Sequence, residues 1–211
     1  MYLSRLILDP RSRQVASELE RPYEMHRTLT RAFDDGGQGD RVLFRADVHP
    51  RTGVPTVLVQ SEARPDWSFT AGLGRYLLEP AECGSENPAW RPYGLTFRTG
   101  QRLRFRLRAN PTFRTQGKRR AWLREEDRIR WLGRRAEAGG FEVESVLVVP
   151  EGFVRDTKRE NGTEHELTLA SVLFDGVLQV RDPEAFAGAL RSGIGSGKAF
   201  GFGLLSVMRC G

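Results

Sequence analysis

The sequence predicts an α+β protein built as two successive βαββαβ units. Three observations lead there. Short apolar runs that read as strands alternate with segments of helical periodicity along the 211 residues. In the first half these fall in the order strand, helix, strand, strand, short helix, strand. The second half follows the same outline with decorations, although no repeat is visible residue by residue. That element order is the one used by ferredoxin-like and RNA-recognition-like domains.

Residues 2–8 are apolar-rich, end at Asp9-Pro10 and read as the first strand. Residues 11–20 are polar and helical in part. A helix then starts at Pro22, which suits a first turn because no N–H is needed there. Met25, Leu29 and Ala32 recur at helical spacing and face a core, which leaves Tyr23, His26, Arg27 and Thr30 on the other side. Asp34-Asp35-Gly36-Gly37 should stop this helix. Residues 41–48 and 54–60 read as strands around a turn-rich connection. The stretch 61–99 is rich in Pro and Gly and is expected to hold one short helix near 71–78. Residues 102–108 alternate strictly, with Leu103, Phe105 and Leu107 inward and Arg102, Arg104, Arg106 and Arg108 outward. This strand closes a first domain of residues 1–110.

The second domain, 111–211, opens on a basic linker that runs to residue 120. A helix follows at 121–138 with Ile129, Leu132 and Ala136 on one face and Gly139-Gly140 as its stop. Strands are expected at 141–149, 152–159, 163–174 and 177–180. Asn161-Gly162 is a strong hairpin signal and Asp175-Gly176 marks a second turn. Asp182-Pro183 opens a helix to about residue 190, and a last strand runs to Met208.

The charge surplus is 33 cations against 27 anions, or +6, with a pI near 9.9. Such a balance favours polyanionic partners and says nothing of fold. Only Lys118, Lys158 and Lys198 are lysines. Arginine suits phosphate and base recognition because its guanidinium is a planar fork of donors, although codon usage in a GC-rich genome accounts for most of this excess. Cys83 and Cys210 form no disulfide framework, and His26, His49 and His165 are too scattered for a metal site, so no metal or other cofactor is expected. The chain starts without a signal-peptide core, and no stretch is long and apolar enough for a membrane span. A soluble, cytoplasmic protein is the default expectation.

Residues 193–203 place glycine at 193, 195, 197, 201 and 203, with Lys198 between them. Such density means a sharp bend or a close approach to the backbone, and Lys198 suggests an anionic ligand. A nucleotide-binding phosphate loop does not fit. Ser192 stands where its first glycine belongs, Ala199 stands where its hydroxyl belongs, and the following residues read as strand rather than helix.

Tyr23 and His26 lie three apart and share a helix face. Both side chains can exchange protons, with ordinary pKa values of about 10 and about 6.5. Two such groups without a metal suit one reaction: a ribose 2′-hydroxyl attacks its own phosphodiester, one group takes the hydroxyl proton and the other protonates the leaving 5′-oxygen. Arg31 is a candidate for offsetting charge in the transition state. On spacing alone such a pair is more often an inert part of a surface. The arginines at 102, 104, 106 and 108 would repel one another and call for a counter-anion, either phosphate or acidic neighbours. The segment holding Arg155, Lys158 and Arg159 reads as a basic β-ribbon that could lie against nucleic acid, or as an ordinary charged hairpin.

Taken together, the first strand, Pro22-Tyr23-Glu24-Met25-His26-Arg27, the segment 102–111 and the glycine-rich end 193–207 resemble the CasE family. These are the CRISPR-associated endoribonucleases of the type I-E Cascade complex, and the likeness runs to about residue 208. The resemblance implies two tandem ferredoxin-like domains and cleavage of CRISPR precursor RNA at the 3′ base of a repeat stem-loop. It implies a cut that needs no metal, leaves a 2′,3′-cyclic phosphate and ends with the product still bound, among the other Cascade subunits. Tyr23 and His26 match the family's catalytic pair. Arg31 occupies a position where relatives often carry lysine, which keeps the charge and changes the geometry. The segment around Arg155, Lys158 and Arg159 matches the basic hairpin placed along the RNA stem. Arg27, the four arginines of 102–108 and Lys198 are further candidate RNA contacts. The alternative is a non-catalytic RNA-binding subunit of a CRISPR ribonucleoprotein.

Overall fold

A computed structural model describes residues 1–33, 41–160 and 163–210, with the backbone alone at 158–160 and 163–165. The chain divides into two compact units: Met1–Gly94 with Asp156–His165 and Ala199–Gly201, and Leu95–Arg155 with Glu166–Lys198 and Phe202–Gly211.

The first unit runs β1 (Tyr2–Ile7), α1 (Arg13–Glu20), α2 (Pro22–Thr30), β2 (Leu43–Val48), β3 (Pro55–Ser61), α3 (Pro80–Cys83) and β4 (Ala89–Pro92). Its sheet is ordered β2-β3-β1-β4, and β1 pairs antiparallel with both neighbours. Each βαβ crossover therefore skips one strand, which is the split βαβ of a ferredoxin-like fold. Leu6, Leu8, Met25, Leu29, Phe44, Val57 and Val59 form the core. Helix α2 is anchored there by Met25 and Leu29, and by Thr28, whose hydroxyl donates to the buried Glu18 carboxylate at 2.7 Å. Tyr76 donates to the other oxygen of Glu18 at 2.6 Å, and burial beside that carboxylate pushes its phenol well up.

The second unit comprises β5 (Arg102–Ala109), β6 (Thr112–Thr115), β7 (Lys118–Ala121), α4 (Glu125–Ala138), β8 (Phe141–Glu160), β9 (Thr163–Val180), α5 (Pro183–Ser192) and β10 (Leu205–Arg209). The sheet order is β10-β5-β9-β8. Ranked by chain order within the sheet and read from the other edge, these four strands repeat the order of the first sheet. The alternation on β5 has the expected result: Leu103, Phe105 and Leu107 are buried against Trp131, Leu132, Phe174 and Phe186. Asp182 caps α5 by accepting from the backbone N–H groups of Glu184 and Ala185.

Several expectations need correction. The strand 102–109 pairs with β9 and β10 and opens the second sheet, so it does not close a first domain ending at residue 110. The fourth strand of the first sheet is β4, within the stretch read as mostly loop. Residues 112–121 are a hairpin rather than a linker, with Arg114 directly opposite Arg119. The short helix near 71–78 is instead a 3₁₀ turn at Ser68–Leu73 followed by α3. The expected strands between 141 and 180 merge into two long ones, β8 and β9. Helix α4 starts at Glu125, and its core face is turned: Trp131 is buried while Ile129 is 41% exposed. The helix stop at 34–37 and the Asn161-Gly162 turn lie outside the described residues. Among the described residues, no helix is long and apolar enough to cross a membrane.

Candidate active site

Helix α2 begins without a local cap. Arg21 stands at its N-cap and makes no side-chain cap bond. The exposed N–H groups of a helix start must still find acceptors. Here the Tyr23 N–H donates to Asp156 Oδ2 at 2.8 Å, and Asp156 Oδ1 accepts from the Thr157 N–H at 2.7 Å. Asp156 is buried, 133 residues further along the chain, and its negative charge suits the positive end of the helix.

On this capped turn the Tyr23 and His26 rings lie parallel, 6.3 Å apart with 8° between their planes. Phe200 stacks on Tyr23 at 5.6 Å, and Phe44 lies against His26 at 6.1 Å. The row Phe200–Tyr23–His26–Phe44 holds both proton-exchanging rings between apolar ones. Gly201 closes the row. Its φ is +78°, and a Cβ there would stand 3.2 Å from Phe44 Cε2, so a side chain would be strained and would press on the ring behind His26. Burial pushes the His26 imidazole below its ordinary value. Among the described residues, neither the His26 ring nitrogens nor the Tyr23 hydroxyl makes a hydrogen bond. An imidazole and a phenol are thus held side by side, and among the described residues neither has a hydrogen-bond partner.

The other predicted residues fall in different places. Arg31 caps the C-terminus of α2, and its guanidinium lies over Phe69, 4.6 Å from the ring centroid. Arg27 pairs with Glu24 at 3.1 Å. Three of the β5 arginines already hold carboxylates at 2.7 Å: Arg102 with Glu144, Arg106 with Asp175 and Arg108 with Glu151. Acidic neighbours, rather than an empty phosphate site, answer the repulsion on this strand. Arg104 is exposed and has no ion pair among the described residues. Arg155 is exposed on β8, while the side chains of Lys158 and Arg159 lie outside the described residues. Lys198 is half-buried in the second unit, beside the glycine-rich turn.

Sequence reasoning missed Phe44, Phe200 and Asp156. A signal existed for the last: a helix opening on Arg21-Pro22, with no Ser, Thr, Asp or Asn to cap it, needs an acceptor from elsewhere. The two phenylalanines carry no local mark, since a ring is placed by tertiary packing.

A family model described as CRISPR associated protein matches residues 1–209. The chain is 38% identical, over 221 aligned residues, to the CRISPR-associated endoribonuclease Cse3 of Thermus thermophilus, with 98% of this chain and 99% of that one covered. It is 27% identical over 224 residues to the Cascade subunit CasE of Escherichia coli, with 98% of each chain covered. The solved structure of Thermus thermophilus Cse3 bound to an RNA representing a pre-cleavage complex matches with a TM-score of 0.82 at 37% identity, covering 98% of both chains.

Proposed function

The chain belongs to the CRISPR-associated protein family, and on that premise we propose that it is an endoribonuclease acting on CRISPR repeat RNA within a Cascade-type assembly. The full-length likeness to Cse3 supports the activity, and the likeness to CasE supports the assembly. The cut falls at the 3′ base of the repeat stem-loop and needs no metal. The single observation that carries the mechanism is the parallel Tyr23–His26 pair, with its polar atoms unengaged.

The desolvated His26 ring is neutral near pH 7 and accepts the 2′-hydroxyl proton. The freed 2′-oxygen attacks the adjacent phosphorus, and the bond from phosphorus to the 5′-oxygen breaks. Tyr23 gives its proton to that 5′-oxygen, since a phenol ordinarily keeps its proton at neutral pH. The products are a 2′,3′-cyclic phosphate and a 5′-hydroxyl end. Arg31, held over Phe69, adds positive charge at the far end of the same helix.

The test uses repeat RNA with a single deoxyribose at the nucleotide bearing the attacking oxygen. The wild-type protein is expected to cut the all-ribose substrate, to leave the deoxy substrate intact and to be unaffected by a chelator. Scission of the deoxy substrate refutes the mechanism. RNA that is bound and never cut supports the non-catalytic subunit instead.

A further inference from the structure

We propose that Thr28 is a positioning residue, whose hydroxyl bond to the buried Glu18 carboxylate fixes the roll of α2 and with it where the Tyr23 and His26 rings point. The inference rests on these two rings being the reacting pair, and it assigns them a support that touches neither of them.

Helix α2 follows α1 after the single residue Arg21, so the two helices meet at a tight corner. Glu18 lies in the last turn of α1 and Thr28 in the last turn of α2, and Thr28 Oγ1 donates to Glu18 Oε1 across the corner at 2.7 Å. At the opposite end of α2 the Tyr23 N–H donates to Asp156 Oδ2 at 2.8 Å. A directional bond thus stands at each end of this nine-residue helix, with His26 between them. Met25 and Leu29 hold the same helix to the core, but burial of apolar surface has no direction and sets the roll less sharply than a bond of fixed geometry. Thr28 lies about 200° round the helix from His26, so its bond grips the helix from behind the pair. Side-chain tips stand about 5–6 Å from a helix axis, and a roll of about 10° displaces them by about 1 Å. A misplacement of about 1 Å is enough to slow a reaction about 10²-fold.

Glu18 suits the part of anchor. It is 4% exposed, and among the described residues no cation pairs with it. A buried carboxylate must be satisfied by donors. Gln14 Nε2 at 2.8 Å and Thr28 Oγ1 share one oxygen, and the Tyr76 hydroxyl donates to the other at 2.6 Å. Gln14 belongs to α1 itself and Tyr76 to the segment before α3, so Thr28 is the donor that ties the carboxylate to α2.

The experiment compares Thr28→Val with Tyr76→Phe in the full-length protein. Each removes one hydroxyl donor from Glu18 with little change of shape, and each is expected to lower the melting temperature by a few degrees. Only the first releases α2. Thr28→Val should slow single-turnover cleavage at saturating protein by about 10- to 100-fold while the Kd for repeat RNA stays unchanged. Tyr76→Phe should keep close to the wild-type rate, and Thr28→Ser, which restores the hydroxyl, should recover most of it. In the protein without RNA, the NMR resonance of the His26 Cε1–H should move in Thr28→Val and stay in place in Tyr76→Phe. Equal rate losses in Thr28→Val and Tyr76→Phe overturn the proposal, because loss of stability alone then accounts for both. A wild-type rate or an unmoved His26 resonance in Thr28→Val overturns it as well. A wild-type protein that leaves repeat RNA uncut would instead strike the endoribonuclease reading, and the His26 resonance would still decide this one.

Discussion

In the first unit the crossover from β1 to β2 includes α2, and one edge of that helix carries a phenol and an imidazole in parallel stack. In the second unit the crossover from β5 to β8 includes α4, whose corresponding decoration is Arg135 over Trp131. Both sheets have the same strand order, and both helices bury one face. Yet one helix presents two side chains of a kind able to exchange protons, and the other presents a positive charge held over a ring. The shared topology fixes where a crossover helix lies, while the few side chains left outside the core decide what it can do. A second contrast sits inside the second unit: Arg102, Arg106 and Arg108 of β5 face carboxylates, whereas Arg114 and Arg119 of the β6–β7 hairpin stand opposite one another.

The largest expected effect comes from the first helix. His26→Ala should slow cleavage of repeat RNA by about 10²–10⁴-fold in single-turnover assays while gel shifts show binding retained. Arg135→Ala on the second helix should leave the single-turnover rate at saturating protein within a few-fold. Equal rate losses from the two substitutions would erase the division of labour. Next comes the pH profile. With the neutral imidazole as base, the rate should fall about tenfold per unit once pH drops below the His26 pKa, which burial places under its ordinary value of about 6.5. A rate that rises on acidification would make His26 the acid instead. A smaller effect follows from removing the distant cap: Asp156→Ala should lower stability by about 1 kcal/mol in urea melts and reduce kcat, because the first turn of α2 loses an acceptor for the Tyr23 N–H. Smallest of all, Arg102→Ala or Arg106→Ala should change stability by about 1 kcal/mol or less, since exposed ion pairs contribute little.

Local chemistry made much of this legible. Pro22 marks the start of α2, Met25 and Leu29 mark its buried face, and Asp182-Pro183 marks the start of α5. What stayed hidden were choices made by the rest of the fold. Alternation on residues 102–108 tells which side chains point inward but not which strands will pair with them, so it does not reveal that β5 belongs with β9 and β10. The segment Ala89–Pro92 is four residues long and ends in proline, too short for periodicity to reveal, yet it completes the first sheet beside β1. The hairpin at 112–121 looked like a linker because arginine and lysine crowd it and its turn is Gln116-Gly117 rather than Asn-Gly. Gln116 nevertheless adopts a φ of +48° there. In α4, Arg128 takes an inward position because its stem packs while its guanidinium donates to the Trp122 carbonyl at 3.0 Å, which turns Ile129 outward. Of the candidate site, the pair itself could be read from Tyr23 and His26 on one face. The apolar rings on either side and the remote cap could not, because each comes from a chain segment far away in sequence.

The remote cap has a consequence for anyone who reshapes this enzyme. Asp156 sits near the C-terminal end of β8, four residues before that strand finishes at Glu160. Trimming the ribbon back past this point would release the turn that presents Tyr23. A loss of RNA cleavage in such a trimmed protein would therefore not by itself assign a role to the ribbon, because the first turn of α2 would have lost its acceptor as well.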